Sequence, residues 1–382
     1  MMPYDVWAEI DLNALDGNIK GLKRLLAGRA RFMAVVKADA YGHGAIETSK
    51  RAVAAGADAL GVARIGEAVG LRHAGIDVPV LIFGKTRPCQ AGRLIEHGLT
   101  QTVCSYGEAA DLSARARAMG CRISVHVKID TGMGRLGIVA GGTGNPRELR
   151  TGVVEEICTI YGLEGLYCEG IYTHFAAADE ADKSMTVNQL ALFDGLLNRL
   201  EKRGVRFKMR HAANSAAVID MPETHLDMVR AGLSIYGYYP SGFVRRDTVG
   251  LNPAMTLKSR IVHLKKVGPG FPVSYGATAR TGKETVIATV AVGYADGFSR
   301  LLSSRGKMTV RGTHAPVIGR VCMDATMLDV GHIPDAAVGD AVTIFGKPGT
   351  GVLSADWLAD QASTITYEVL TSVSSRVTRV YV

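Results

Sequence analysis

Phe32-Met33-Ala34-Val35-Val36-Lys37-Ala38-Asp39-Ala40-Tyr41-Gly42-His43-Gly44 is a short apolar run that ends on a lysine and opens onto a glycine-rich turn. Lysine is among the residues least often buried. Burial at a strand end disfavours the ammonium form and lowers its pKa. The amine then becomes a usable nucleophile, above all for a Schiff base. The same pattern also fits a lysine that snorkels into solvent, and this segment alone leaves the two open.

Outward from this stretch, short apolar runs alternate with longer amphipathic ones as far as Tyr239. Strand patterns lie at 34–37, 59–62, 80–83, 101–104, 124–129, 166–172, 208–211 and 228–230. Helical patterns such as 14–26, 66–73 and 187–203 lie between them. This alternation predicts an α/β fold with a closed (β/α)8 TIM-type barrel rather than an open sheet. Lys37, His174, Asn214-Ser215 and Arg230-Ala231-Gly232 fall at or just past the predicted C-terminal strand ends. Catalytic groups gather on that face of a barrel. After Tyr239, Pro240-Ser241-Gly242 begins a linker. Val- and Thr-rich runs at 255–267, 285–292, 307–310, 315–318, 325–330 and 341–345 then predict a mostly β domain. The boundaries expected are 12–240 for the barrel, and 241–382 joined by the N-terminal strand in 1–11 for the second domain.

The chain has 382 residues, 47% of them hydrophobic, enough for a sizeable core and two domains. Its net charge of +8 is scattered and interleaved with acids, as in Val244-Arg245-Arg246-Asp247, which argues against nucleic-acid binding. No apolar run reaches the ~20 residues that span a bilayer. The start, Met1-Met2-Pro3-Tyr4-Asp5-Val6-Trp7-Ala8-Glu9, lacks the basic-then-apolar pattern of a signal peptide, so a cytoplasmic location is expected. The six cysteines show no CxxC pair and no zinc-type spacing, so no metal is expected and most should pack as reduced core residues.

Further segments set reactive side chains beside glycines: Lys128-Ile129-Asp130-Thr131-Gly132-Met133-Gly134-Arg135, Val273-Ser274-Tyr275-Gly276, Gly293-Tyr294-Ala295-Asp296-Gly297, Gly319-Arg320-Val321-Cys322-Met323-Asp324 and Thr366-Tyr367-Glu368-Val369. Each alone is weak, since a glycine pair usually marks just a turn. In this order, from Ala8-Glu9-Ile10-Asp11 to Arg376-Val377, they resemble the bacterial alanine racemases. That is a family of pyridoxal 5'-phosphate (PLP) enzymes with a barrel and a β domain.

The resemblance implies the following roles. Lys37 carries PLP covalently and, once freed, acts as a base on one face of the substrate Cα. Tyr275 is the second base, on the opposite face. A phenol titrates near ~10 and needs a nearby cation to serve at neutral pH. Arg135 is that cation and also holds the substrate carboxylate. His174 hydrogen-bonds to the tyrosine. Arg230 faces the pyridine nitrogen and, as a permanent donor, leaves it unprotonated. Tyr41, Asn214, Ser215, Gly232, Leu233 and Tyr367 bind the cofactor, most of them at its phosphate. Met323 meets the substrate carboxylate through its backbone, and Asp324 and Tyr294 line the entry. Lys128 is carbamylated in some members and would then pair with Arg135.

The same resemblance implies a head-to-tail homodimer with shared active sites, Tyr275, Tyr294 and Met323 serving the partner's Lys37. The product, D-alanine, would feed peptidoglycan. Two positions depart from the family pattern: Thr366, where Pro or Asn is common, and Ala325, where Gln is usual. Both leave alanine against serine open, so a serine or dual alanine/serine racemase is the alternative. Tyr367 favours alanine, because its ring leaves little room beyond a methyl group. A PLP decarboxylase of the same architecture, and a non-catalytic PLP carrier, are the readings from other classes. The small-substrate motifs argue against the first, and the β domain with Tyr275 against the second.

Overall fold

The computed structural model describes residues 4–141, 147–347 and 351–382. The outermost residues assigned above to the second domain, 1–3, and the stretches 142–146 and 348–350 lie outside the described residues. The chain begins with β1 (Val6–Ile10) and the helix α1 (Leu12–Leu25), whose N-terminus is capped by Asp11 accepting from Ala14 N–H at 2.8 Å. The strands that follow are β2 (Arg31–Val35), β3 (Ala59–Val62), β4 (Val80–Ile82), β5 (Thr100–Val103), β6 (Ile123–Asp130), the two-residue β7 (Ile138–Val139), β8 (Leu166–Tyr172), β9 (Met209–His211) and β10 (Met228–Ala231).

Apart from β7, which pairs on the side of β6, these strands are parallel neighbours in the order β10-β2-β3-β4-β5-β6-β8-β9. The ring closes between β9 and β10 through two backbone hydrogen bonds, Arg230 N–H to Ala213 O at 3.0 Å and Asp227 N–H to Arg210 O at 3.1 Å. The strands are short and nearly all buried because both faces are covered, one by helices and one by the barrel interior. Met33, Ala59, Leu81, Met209 and Met228, near the N-terminal strand ends, form a separate plug there. That leaves the opposite, C-terminal mouth free to hold a cavity.

The second unit is built on the 13-residue β11 (Met255–Val267), which pairs with several other strands of its sheet. β1 pairs with β11 antiparallel, and with the strand Thr378–Tyr381 in parallel. The N-terminal strand thus belongs to this sheet and hands the chain to the barrel through α1. Two helices, Ala355–Gln361 and Thr366–Ser372, interrupt the β texture. The second packs on the turn after β2 so closely that a Cβ at Gly42 would run into the Leu370 carbonyl oxygen. Among the described residues no helix is long and apolar enough to cross a membrane.

Two expectations need correction. Lys37 lies two residues beyond β2, and the left-handed winding begins before the glycines of its turn: Ala38, Asp39, Ala40 and Tyr41 all have φ of 52–54°, ahead of Gly42 at 82° and Gly44 at 89°. Of the six cysteines only Cys104 and Cys168 are buried, while Cys89 and Cys121 are exposed, so most are not core residues.

Candidate active site

A cavity of about 770 Å³ opens at the C-terminal mouth of the barrel. Its wall includes Lys37, Lys128, Arg135, His174 and Arg230, with Tyr41, Asn214, Ser215, Gly232, Leu233 and Tyr367. The structure therefore gathers in one place the sequence candidates that come from the barrel, together with Tyr367 from the helix Thr366–Ser372.

Lys37 reaches this cavity because the backbone winds left-handed immediately after it. Each non-glycine residue in that conformation costs roughly 1–2 kcal/mol, so the turn must be held by its surroundings. Asp39 Oδ1 accepts from Ala45 N–H at 2.7 Å, and Arg379 Nε donates to Gly42 O at 2.9 Å. Tyr236 packs its ring 4.8 Å from that of Tyr41 and donates its hydroxyl to Val35 O at 2.9 Å. Burial lowers the Lys37 pKa, the Arg135 guanidinium lowers it further, and Glu67 opposes both.

Arg230 is buried, and its two terminal nitrogens are held by four contacts. Nη1 meets His211 Nδ1 at 2.8 Å, while Nη2 donates to Thr173 O and Ala212 O, each at 2.8 Å, and meets His174 Nδ1 at 3.1 Å. Arginine can only donate, so both histidine Nδ1 atoms accept. A neutral His211 then carries its proton on Nε2 and passes it toward His126 Nδ1, 2.8 Å away. Burial and the nearby Arg230 charge hold His211 and His174 well below the usual histidine range and push His126 to about 3, so the chain is neutral. Arg230 itself is lowered by burial only to about 10 and stays charged at neutral pH.

Tyr172 completes this layer. It stacks on His211 with ring centroids 4.5 Å apart and 6° between planes, and its hydroxyl pairs with Thr102 Oγ1 at 2.9 Å. Lys128 Nζ lies 4.4 Å from the centroid of the same ring. Burial, Arg230 and Arg135 together lower the Lys128 pKa to about 7. Asp130 spends Oδ1 on the N–H groups of Gly132, Met133 and Gly134, at 2.9, 2.9 and 3.1 Å, and so shapes the loop that presents Arg135.

On the opposite wall, Asn214 caps the helix Ser215–Asp220 by accepting from Ala217 N–H at 3.1 Å. Ser215 Oγ accepts from Gly232 N–H at 2.8 Å. A Cβ at Gly232 would sit 2.7 Å from the Tyr41 hydroxyl, so only glycine leaves this corner open.

Tyr275, Tyr294, Met323 and Asp324 do not line the cavity. Tyr275 is 71% exposed, and Tyr294 and Met323 are exposed as well. They sit together on the second unit. Tyr294 N–H donates to Cys322 O at 3.1 Å and Ala295 N–H to Met323 O at 3.0 Å, while Arg376 joins Asp296 and Asp324 at 2.9 and 2.8 Å. Ser274, with φ of 65°, donates Oγ to Arg320 O at 2.6 Å and fixes the backbone just before Tyr275.

Sequence reasoning missed His126, His211 and Tyr172. A signal existed for the first: His126 stands two residues before Lys128 and four before Asp130, on one face of β6, where alternation would demand apolar side chains.

The chain matches the family description "Alanine racemase, N-terminal domain" over residues 10–240 and "Alanine racemase, C-terminal domain" over 254–381. It is 53% identical to the alanine racemase of Desulfosudis oleivorans, over 100% of this chain and 97% of that protein. It is 48% identical to the alanine racemase of Desulforamulus reducens over the full length of both. Among solved structures, the alanine racemase of Clostridium difficile 630 superposes with a TM-score of 0.93 at 40% identity, covering 100% of this chain and 97% of that one. That of Streptomyces lavendulae gives 0.92 at 36%, covering 100% and 98%. Two family matches that together take in both the barrel mouth and the β unit, with relatives alike from end to end, lead to one conclusion: the chain belongs to the alanine racemase family.

Proposed function

We propose that this protein interconverts L- and D-alanine with PLP as cofactor, using Lys37 and Tyr275 as bases on opposite faces of Cα. The observation that carries the reading is the cavity wall that sets the half-buried Lys37, the Arg230 guanidinium and the open Ser215–Gly232–Tyr41 corner around one space. These groups fit PLP: an amine for its aldehyde, a permanent donor for its ring nitrogen, and hydroxyl and backbone donors where a Cβ would block a phosphate. Leu233, Asn214 and Tyr367 would complete the cradle. Bound PLP acidifies the Cα–H of an amino acid joined to it.

The chain's own residues do the rest. Lys37, its ammonium form disfavoured by burial, takes or returns a proton at Nζ. Arg135 binds the carboxylate, with the Met323 backbone at its other side and Asp324 and Tyr294 at the entry. Arg230, a permanent donor, would hold the ring nitrogen of the cofactor and leave it unprotonated. His174, accepting from Arg230 through Nδ1, keeps its other nitrogen for the Tyr275 hydroxyl. Lys128, neutral in part near pH 7, takes up CO2 as a carbamate that steadies Arg135.

Tyr275 belongs to a second copy. The barrel, 12–240, holds the cofactor, and the unit formed by 1–11 with 241–382 covers the mouth of its partner in a head-to-tail homodimer. The product is D-alanine for peptidoglycan, made in the cytoplasm. The test incubates purified protein with L-alanine and L-serine separately in D2O. Alanine should lose optical rotation as Cα gains deuterium, and serine should do so more slowly, because the Tyr367 ring stands at the cavity wall. Retention of the α-proton in alanine would end the proposal.

A further inference from the structure

Glu67 lies one barrel strand away from Lys37, in the first turn of the helix Ile65–His73 that follows β3. Its two oxygens accept three backbone N–H groups. Oε2 takes those of Ala63 and Arg64, at 2.8 and 2.9 Å, which close the N-terminus of its own helix. Oε1 takes Ala38 N–H at 2.6 Å, and that bond has nothing to do with the helix. Ala38 N–H belongs to the peptide immediately after Lys37 and is the first donor of the left-handed turn. One carboxylate therefore joins the strained turn to the neighbouring strand end at the residue that matters most. Charge-assisted bonds of this kind are short and strong.

The charge has a second consequence. Lys128, Arg135 and Arg230 line the cavity with Lys37, and among the described residues only Asp179 and Glu368 add acids to its wall. His174, which feels the Lys37 charge, is neutral. The buried Tyr41 and the half-buried Tyr367 are phenols held protonated. A cavity so rich in cations drives protons off an amine. Arg135 acts on Lys37 in that direction, and Glu67 acts against it.

We propose that Glu67 is the positioning residue of Lys37: its carboxylate fixes the left-handed turn that aims the amine and supplies the negative charge that offsets Arg135 there. The inference rests on Lys37 being the cofactor-bearing amine described above. It gives Glu67 a function in the reaction, because a base that must both take and return a proton needs a pKa near the working pH.

The test uses the full chain freed of PLP. Lys37 is labelled with acetic anhydride across a pH series and its peptide is followed by mass spectrometry, so the labelling rate reports the neutral amine. Glu67→Gln removes the charge and should lower the Lys37 midpoint by roughly half a unit or more. Asp39→Ala breaks the other side-chain hold on the same turn, at Ala45 N–H, and should cost stability while leaving the midpoint in place. Glu67→Asp keeps the charge with a shorter reach and should hold the midpoint within about 0.3 unit. If Glu67→Gln does not fold, Glu67→Ser, which also removes the charge, takes its place, with the same fall expected and an unmoved midpoint again overturning the proposal. An unmoved midpoint in Glu67→Gln, an equal fall in Asp39→Ala, or a large fall in Glu67→Asp overturns the proposal. Failure of borohydride to fix PLP to wild-type Lys37 would instead strike the cofactor assignment, and it is read in a separate experiment from the amine midpoint.

Discussion

Lys128 is the residue on which burial and chemistry pull hardest against each other. Its ammonium sits against the Tyr172 ring and among the charges of Arg230 and Arg135, so its pKa falls from 10.5 to about 7 in the folded chain. Between those values the unfolded chain binds one proton more than the native one, and native stability rises with pH across the window. The penalty is complete below about pH 7 and fades as pH approaches 10.5. Comparison with Lys128→Met, in buffers purged of CO2, should show this directly. The variant is expected to be more stable by its widest margin on the acid side, and the gap should narrow through pH 8 to 10, read from urea midpoints at each pH. A gap independent of pH would mean that Lys128 keeps its proton. The same lowered pKa provides neutral amine for CO2 near pH 7, so the carbamate mass should appear in bicarbonate above that pH and vanish below it.

At the scale of one element, the left-handed turn 38–41 shows structure bending to the site. Its residues are not glycines, and each carries strain of roughly 1–2 kcal/mol. Ala38→Gly removes that penalty at φ 53° while keeping the N–H that Glu67 accepts. It should raise stability by about 1 kcal/mol, seen as a higher denaturant midpoint with an unchanged slope. A fall in midpoint would show that the turn is relaxed rather than held. This turn also marks how far the sequence could be read. The apolar run 32–36 announced β2, and the lysine after it announced a site, because both follow from local composition. Positive φ at two alanines has no local signature and is imposed by Glu67, Asp39 and the helix Thr366–Ser372, the last more than 300 residues further on. For the same reason the two histidines that tie to Arg230, His126 and His211, were missed although Arg230 itself was picked out. His211 reads as an ordinary polar residue in its own strand, the anomaly of His126 in β6 points to no partner, and only the assembled barrel sets His126 and Arg230 each 2.8 Å from His211.

At the scale of the whole molecule, the two proposed bases stand on different surfaces of one chain. Lys37 lies in the cavity, whereas Tyr275 stands 71% exposed on the second unit and takes no part in the cavity wall. An exposed phenol is poorly placed to act as a base in a water-excluded site, so the proposed two-base reading requires a second copy to bring it there. In a closed two-fold dimer each site would then draw Lys37 from one copy and Tyr275 from the other. This arrangement makes a quantitative prediction. Lys37→Ala and Tyr275→Ala should each be inactive as pure homodimers. When the two are unfolded, mixed in equal amounts and refolded, half of the dimers carry both variants. In such a dimer one site collects both defects and the other collects none. Activity should return to about a quarter of the wild-type value, since half the dimers each have one intact site of two. If each site were built within a single chain, every site in the mixture would keep one defect and no activity would return. A mixture that stays inactive while gel filtration shows dimers would therefore refute the shared site and leave the exposure of Tyr275 in want of another cause.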